Sequence, residues 1–130
     1  MQDNKKKILI VDDDKFLLNM YSIKFDKNGF DVTIATSGTD AIDILRNGLK
    51  PDIIVMDLVM PIMDGFMMFE NFKKEKLATD AIYIMLTNQG LLSDINRAKA
   101  LGAHGYIVKA TTIPSEVVEE VIDIYNKNHK

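Results

Sequence analysis

Short apolar runs alternate with longer stretches of helical spacing along this chain. Ile8-Leu9-Ile10-Val11 is a continuous apolar run ending in Asp12-Asp13-Asp14, as expected of a strand buried on both faces. From Lys15 to Asn28, Leu17, Met20, Tyr21 and Phe25 fall at helical spacing, and Gly29 follows as a stop. Val32-Thr33-Ile34-Ala35 reads as a second strand. Ser37 or Gly38 then opens a helix that turns Ala41, Ile42 and Leu45 inward and ends at Gly48. Pro51 introduces a third strand, Asp52 to Asp57. The loop Leu58 to Gly65 carries Pro61 and the turn signal Asp64-Gly65, and Met68, Phe69 and Phe72 mark a third helix. Ala81 to Leu86 is a fourth strand ending at Thr87. A helix with Ile95, Ala98 and Leu101 inward follows, with Gly102 after it. Tyr106-Ile107-Val108 is a short fifth strand ending at Lys109. The last helix starts near Pro114, which suits a first helical position, and Val117, Val118, Val121, Ile122 and Tyr125 form its stripe. Its N-cap is not evident, because Ile113 is a poor cap and Thr112 lies one residue early.

Five strand-helix repeats predict an α/β fold, a doubly wound five-stranded parallel sheet with helices on both faces and right-handed crossovers. In such sheets ligands bind beyond the carboxyl ends of the strands. Length agrees: 130 residues make one ordinary domain, and 47% apolar residues supply a core. No repeat, linker or low-complexity segment divides it. The start lacks the apolar stretch of a signal peptide, and no apolar run spans a membrane, so a cytoplasmic protein is expected.

Composition then removes several function classes. The absence of cysteine excludes a disulfide scaffold, a thiol nucleophile and a cysteine-ligated zinc site. A net charge of −3 disfavours a non-specific nucleic-acid surface. The acidic residues are unevenly spread: through Gly65 there are eleven Asp and no Glu, and afterwards three Asp and five Glu. Asp is a poor helix former but a good cap, turn residue and compact oxygen ligand.

The expected carboxyl ends carry Asp12-Asp13-Asp14, Asp57, Thr87 and Lys109. Each has an ordinary explanation alone: helix cap, turn former, β-branched strand end, lysine with its head in water. Capping and metal binding both fit Asp12 and Asp13. Three consecutive Asp exceed what a cap needs, and clustered carboxylates repel unless a cation intervenes. Oxygen ligands suit Mg²⁺ or Mn²⁺. Four such coincidences at one sheet edge favour a site. A carboxylate there can attack phosphorus and form an aspartyl-phosphate. Lys109 can neutralise phosphoryl charge, and the Thr87 hydroxyl can donate to a phosphoryl oxygen.

With these residues the sequence resembles the receiver domains of two-component response regulators, the CheY-like family. The Asp12-Asp13 pair, Asp57, the loop Met60-Pro61-x-x-Asp64-Gly65, Thr87, Ala103 with Gly105-Tyr106, and Lys109 carry the resemblance. It covers about residues 6 to 127 of a single domain, 1–130, with polar tails. The resemblance implies strand order 2-1-3-4-5. It implies that Asp57 is the phosphoacceptor, charged by a histidine kinase or phosphotransfer protein. Asp13 and Asp57 would bind Mg²⁺ directly with the backbone carbonyl of Val59, and Asp12 mainly through a coordinated water. Lys109 would contact the phosphoryl group. Thr87 and Tyr106 would be the switch pair, changing the partner preference of the face formed by helix 4, strand 5 and helix 5. Such a protein catalyses only its own phosphoryl transfer and loss, and is not otherwise an enzyme. Neither nucleic-acid contact nor membrane insertion is expected.

Departures from the family pattern carry their own expectations. Ala110 follows Lys109 where proline with a cis bond is frequent; cis before a non-proline costs about 3–4 kcal/mol, so a trans or a strained cis bond is expected. Asn88 follows Thr87 where a small residue is common. Val59 and Gln89 occupy positions that influence phosphoryl lifetime in the family, and valine cannot hold a hydrolytic water, so slow dephosphorylation is expected. Leu91 and Leu92 put apolar surface where the switching face begins, and His104 and His129 show no ligand spacing. The alternative is a pseudo-receiver that binds partners without phosphorylation; retention of all five polar site residues argues against it. A phosphotransferase would need a substrate-covering segment, and the acidic first loop would repel a flavin phosphate. The polar tail Asn126 to Lys130 fits a stand-alone regulator or an excised receiver equally.

Overall fold

In a computed structural model, residues 5–87, 92–109 and 112–128 are described. β1 (Lys7–Val11) buries Ile8, Leu9, Ile10 and Val11 because it has strands on both sides and helices over both faces. It is followed by α1 (Lys15–Lys27), β2 (Asp31–Ala35), α2 (Gly38–Arg46) and β3 (Ile53–Asp57). Then come α3 (Gly65–Lys74), β4 (Ile82–Thr87), α4 (Leu92–Leu101), β5 (Gly105–Val108) and α5 (Pro114–Asn128). The strands are all parallel, in the order β2-β1-β3-β4-β5. The expected architecture and strand order are therefore those observed.

Side chains alternate across the sheet, so each inner strand feeds two cores. Leu9, Ile54, Met56 and Met85 face α2, α3 and α4, and meet Met68, Phe69 and Phe72. Ile8, Ile10, Val55 and Ile84 face α1 and α5, and meet Leu18, Phe25 and Val121. β3 is buried at all five positions, which explains its unbroken apolar run.

Among the described residues, three helix starts are capped by the side chain at the cap position. Asp14 Oδ1 accepts from the N–H groups of Phe16 and Leu17, Ser37 Oγ from Asp40, and Asp64 Oδ1 from Met67. The α5 start resolves differently. Ile113 occupies the cap position, and Glu116 Oε1 reaches back to accept its N–H at 3.2 Å. That is half of a capping box, supplied from inside the helix. Asp52, expected in the third strand, lies just before it. Its carboxylate accepts the Lys7 N–H at 2.8 Å and so pins the start of β1 to that of β3.

Expected inward residues divide. Phe25, Ala41, Leu45, Phe72, Ala98 and Val117 are buried, whereas Leu17, Met20, Ile95, Leu101 and Ile122 are only half-buried. Leu18 and Phe66 are buried although the periodicity did not single them out. Asn88, Gln89, Leu91, His129 and the peptide between Lys109 and Ala110 lie outside the described residues.

Candidate functional site

The carboxyl edge is where β1 and β3 run side by side and hand their last residues to loops. Asp12 follows the last residue of β1 and is completely buried. Its N–H donates to Ala35 O at 3.2 Å, which ties the strand end to β2. Asp12 Oδ1 accepts the Asp14 N–H at 2.9 Å, leaving Oδ2 to face the pocket. The three consecutive aspartates thus divide: Asp14 is the cap of α1, Asp12 points inward, and Asp13 is exposed at the mouth.

Asp57 ends β3 at 4% exposure. Its Oδ1 accepts the Val59 N–H at 3.3 Å, a short loop contact that fixes the carboxylate's orientation. Asp12, Asp13 and Asp57 each offer an oxygen, and these atoms lie within 4.8 Å of one another. Lys109, immediately after β5, turns inward rather than out to water. Its Nζ donates to Asp12 Oδ2 at 3.1 Å and to Asp57 Oδ2 at 3.4 Å. Lys109 and both partners are 6% exposed or less, so the ion pairs are little screened by solvent.

Two buried carboxylates share one ammonium, with Asp13 beside them, and the electrostatics follow. Burial pushes the Asp57 carboxyl up to about 6, the neighbouring Asp12 charge adds to the rise, and Lys109 and the Val59 N–H oppose it. For Lys109, burial works against the charged form, but Asp57 and Asp12 outweigh it and its pKa is raised. The all-oxygen donor set and its uncompensated negative charge suit a hard divalent cation. Asp12, Asp13 and Asp57 are the side chains that would hold one.

Thr87 ends β4 at 2% exposure. The register pairs Asp57 with Leu86, so Thr87 extends one residue beyond it on the adjacent strand. Tyr106 lies on β5 opposite Met85; burial, then Asp94, raises the pKa of its phenol, and the Thr87 side chain acts to lower it. Val59 is 70% exposed at the loop surface.

The structure adds residues that periodicity assigned elsewhere or left unread. Tyr21, expected only as a core residue of α1, is buried and its phenol feels the charges of Lys109, Asp12 and Asp57; burial is the main cause that raises its pKa. Ile62 is 97% exposed with φ +69°, an unusual backbone for a β-branched residue. Nothing in its sequence neighbourhood signals that conformation. Gly65 permits the close return of the loop. A Cβ there would lie 2.9 Å from Leu58 Cα and closer still to Asp57 O.

The family model described as response regulator receiver domain matches residues 8–121. Response regulator SaeR of Staphylococcus aureus (strain USA300) is 33% identical over 123 residues, covering 95% of this chain and 52% of that protein. The chain therefore spans about half that relative's length. Among solved structures, the Vibrio cholerae chemotaxis protein CheY4 is similar with TM-score 0.84 and 26% identity, over 92% of this chain and 98% of that one. The receiver domain of Francisella response regulator 1452 is similar with TM-score 0.81 and 28% identity, over 95% and 98%.

Proposed function

The chain belongs to the response regulator receiver domain family, and from that premise we propose that it is a phosphorylation-dependent switch with Asp57 as phosphoacceptor. The observation carrying this reading is the convergence on Asp57. It is buried, neighbours two further carboxylates that suit a cation, and pairs with a lysine side chain, also buried, that immediately follows the last strand. In the proposed step an Asp57 carboxylate oxygen attacks the phosphorus of a phosphohistidine on a kinase or phosphotransfer protein. The O–P bond forms, the N–P bond breaks, and the imidazole leaves with its electron pair and takes up a proton. Lys109 then holds a phosphoryl oxygen through its ammonium, and Thr87 supplies a hydroxyl donor. Asp12, Asp13, Asp57 and the Val59 carbonyl would hold Mg²⁺ or Mn²⁺, which would supply positive charge to offset that of the phosphoryl group. The reaction is confined to the protein's own carboxylate, so we place it outside enzymes that act on a separate substrate.

Charge added at Asp57 would bias Thr87 and, through the influence of Thr87 on its phenol, Tyr106. The face of α4, β5 and α5 would then bind a downstream partner differently. Among the described residues no helix is long and apolar enough to cross a membrane.

Incubation with a small-molecule phosphodonor and Mg²⁺, read by intact mass, tests the reading. We expect a gain of about 80 Da that Asp57→Ala abolishes. No gain would instead support a receiver that binds partners without phosphorylation, and a gain surviving Asp57→Ala would move the site. Phosphoryl lifetime is a second readout. Val59 offers no group to hold an attacking water. Val59→Asn is therefore expected to hasten loss of the phosphoryl group about tenfold or more in a time course after donor removal.

A further inference from the structure

His104 lies at the opposite end of β5 from Lys109. Its backbone N–H donates to Tyr83 O at 2.8 Å, and its Nδ1 accepts the Tyr83 N–H at 3.0 Å. One residue thus satisfies both backbone groups that Tyr83 turns toward β5, one through its main chain and one through its side chain. The ladder continues with Ile84 opposite Gly105 and Met85 opposite Tyr106, so the imidazole supplies the first rung between β4 and β5. The ring lies nearly parallel to that of Tyr83, at 9° and 6.4 Å between centroids. Tyr83 is itself fixed, its hydroxyl donating to Ala78 O at 2.6 Å.

An imidazole nitrogen accepts an N–H only while it carries a lone pair. The contact therefore requires the neutral ring with its proton on Nε2. In the cation, Nδ1–H would face the Tyr83 N–H, donor against donor. We propose that His104 is an acid-sensitive latch on the β4–β5 junction: protonation ejects the Tyr83 N–H and frees the start of β5, the strand that carries Tyr106 and leads to Lys109. His104 and Tyr106 line the same cleft of about 60 Å³ against α4, so the latch sits two residues from the proposed switch tyrosine.

The surrounding groups set its direction. Lys73 of α3 comes close, since a Cβ on Gly102 would meet its Nζ at 3.1 Å. Lys99 of α4 and Tyr106 of β5 line the cleft with His104, Tyr83 of β4 lies beside the ring, and Asp94 of α4 acts on the Tyr106 phenol. His104 is exposed overall, but partial desolvation of its ring, then the Lys73 charge, holds the imidazole below its ordinary value of 6.5. The folded protein thus resists protonation more than the unfolded chain. The stability this confers is present above about 6.5 and is lost as pH falls through the folded value.

The test is NMR on the ¹⁵N-labelled full chain between about pH 8 and pH 5. We expect an unprotonated, accepting Nδ1 at the upper end. On acidification Tyr83 amide protection should fall on the order of two- to tenfold beyond intrinsic exchange, with the midpoint of the His104 ring. In His104→Asn a carbonyl oxygen can accept the same N–H without titrating, and the step should vanish. Tyr83 protection indifferent to the His104 titration, or a step that persists in His104→Asn, would overturn the proposal. So would a protonated Nδ1 at neutral pH. Should the variant not fold, the two wild-type midpoints decide: coincidence supports the latch and separation rejects it.

Discussion

A carboxylate buried beside a second one costs free energy that one lysine recovers only in part. Asp57 is in that position, with its pKa at about 6 against an ordinary 3.8. As pH rises, the unfolded chain releases this proton first while the folded chain still holds it. Stability therefore falls as pH rises from about 3.8 to about 6, and the full penalty applies above that. Asp57→Asn removes it. In chelator-containing buffer at neutral pH the variant should be more stable than the parent, on the order of 2 kcal/mol, and the gap should close toward pH 4. Thermal unfolding across that range checks it; a variant no more stable at neutral pH would mean that Lys109 fully compensates the burial. Asp12, Asp57, Thr87 and Lys109 were legible in the sequence because a parallel sheet sends every strand's carboxyl end to one edge, so position along the chain translates into position in space. The division of labour within Asp12-Asp13-Asp14 was not, since it depends on which way each side chain turns after the strand stops. The contact His104 makes is not legible in the sequence for a related reason. Its partner is a backbone N–H, and main-chain partners leave no mark in residue type.

At the scale of elements, Gly65 joins the phosphoacceptor strand to the helix after it. Its N–H donates to Leu58 O at 3.0 Å, and an added Cβ would meet backbone at Leu58 Cα, 2.9 Å away. Backbone cannot swing aside as a side chain can. Gly65→Ala should therefore shift the first turn of α3 and cost about 1–3 kcal/mol in urea unfolding. It should also slow phosphorylation through displacement of Asp57, whereas an unchanged melt would show that the loop has slack. The strands are legible in the sequence because burial on both faces leaves uninterrupted apolar runs in β3 and β4. Helix faces are less legible. α4 buries only Ala98, with Ile95 and Leu101 half-covered, because one flank meets β5 and the other meets α3 through Arg97 stacked 4.2 Å from the Phe66 ring. A stripe counted at helical spacing does not reveal how much of it a neighbour covers. The α5 start shows no cap residue in the sequence because the accepting side chain comes from Glu116 inside the helix.

For the molecule as a whole, the strand order determines which contacts are long-range. β1 and β3 pair at the centre of the sheet, while β5 joins at the far edge. The pair between Lys109 and Asp12 spans 97 residues of chain. Loop closure over that length is costly, so such a contact is expected to form late in folding. The acidic strand ends would then meet at the centre of the sheet before their cation arrives from its edge. A stopped-flow chevron distinguishes the order of events. Lys109→Met should speed unfolding and leave the refolding limb nearly unchanged, because its contacts would be absent from the transition state. Slower refolding would put β5 in the folding nucleus instead. On the expected order, the lysine that would grip a phosphoryl group also closes the fold. A chain that has assembled its acidic centre cannot hold a phosphoryl group through Lys109 until its last strand has docked.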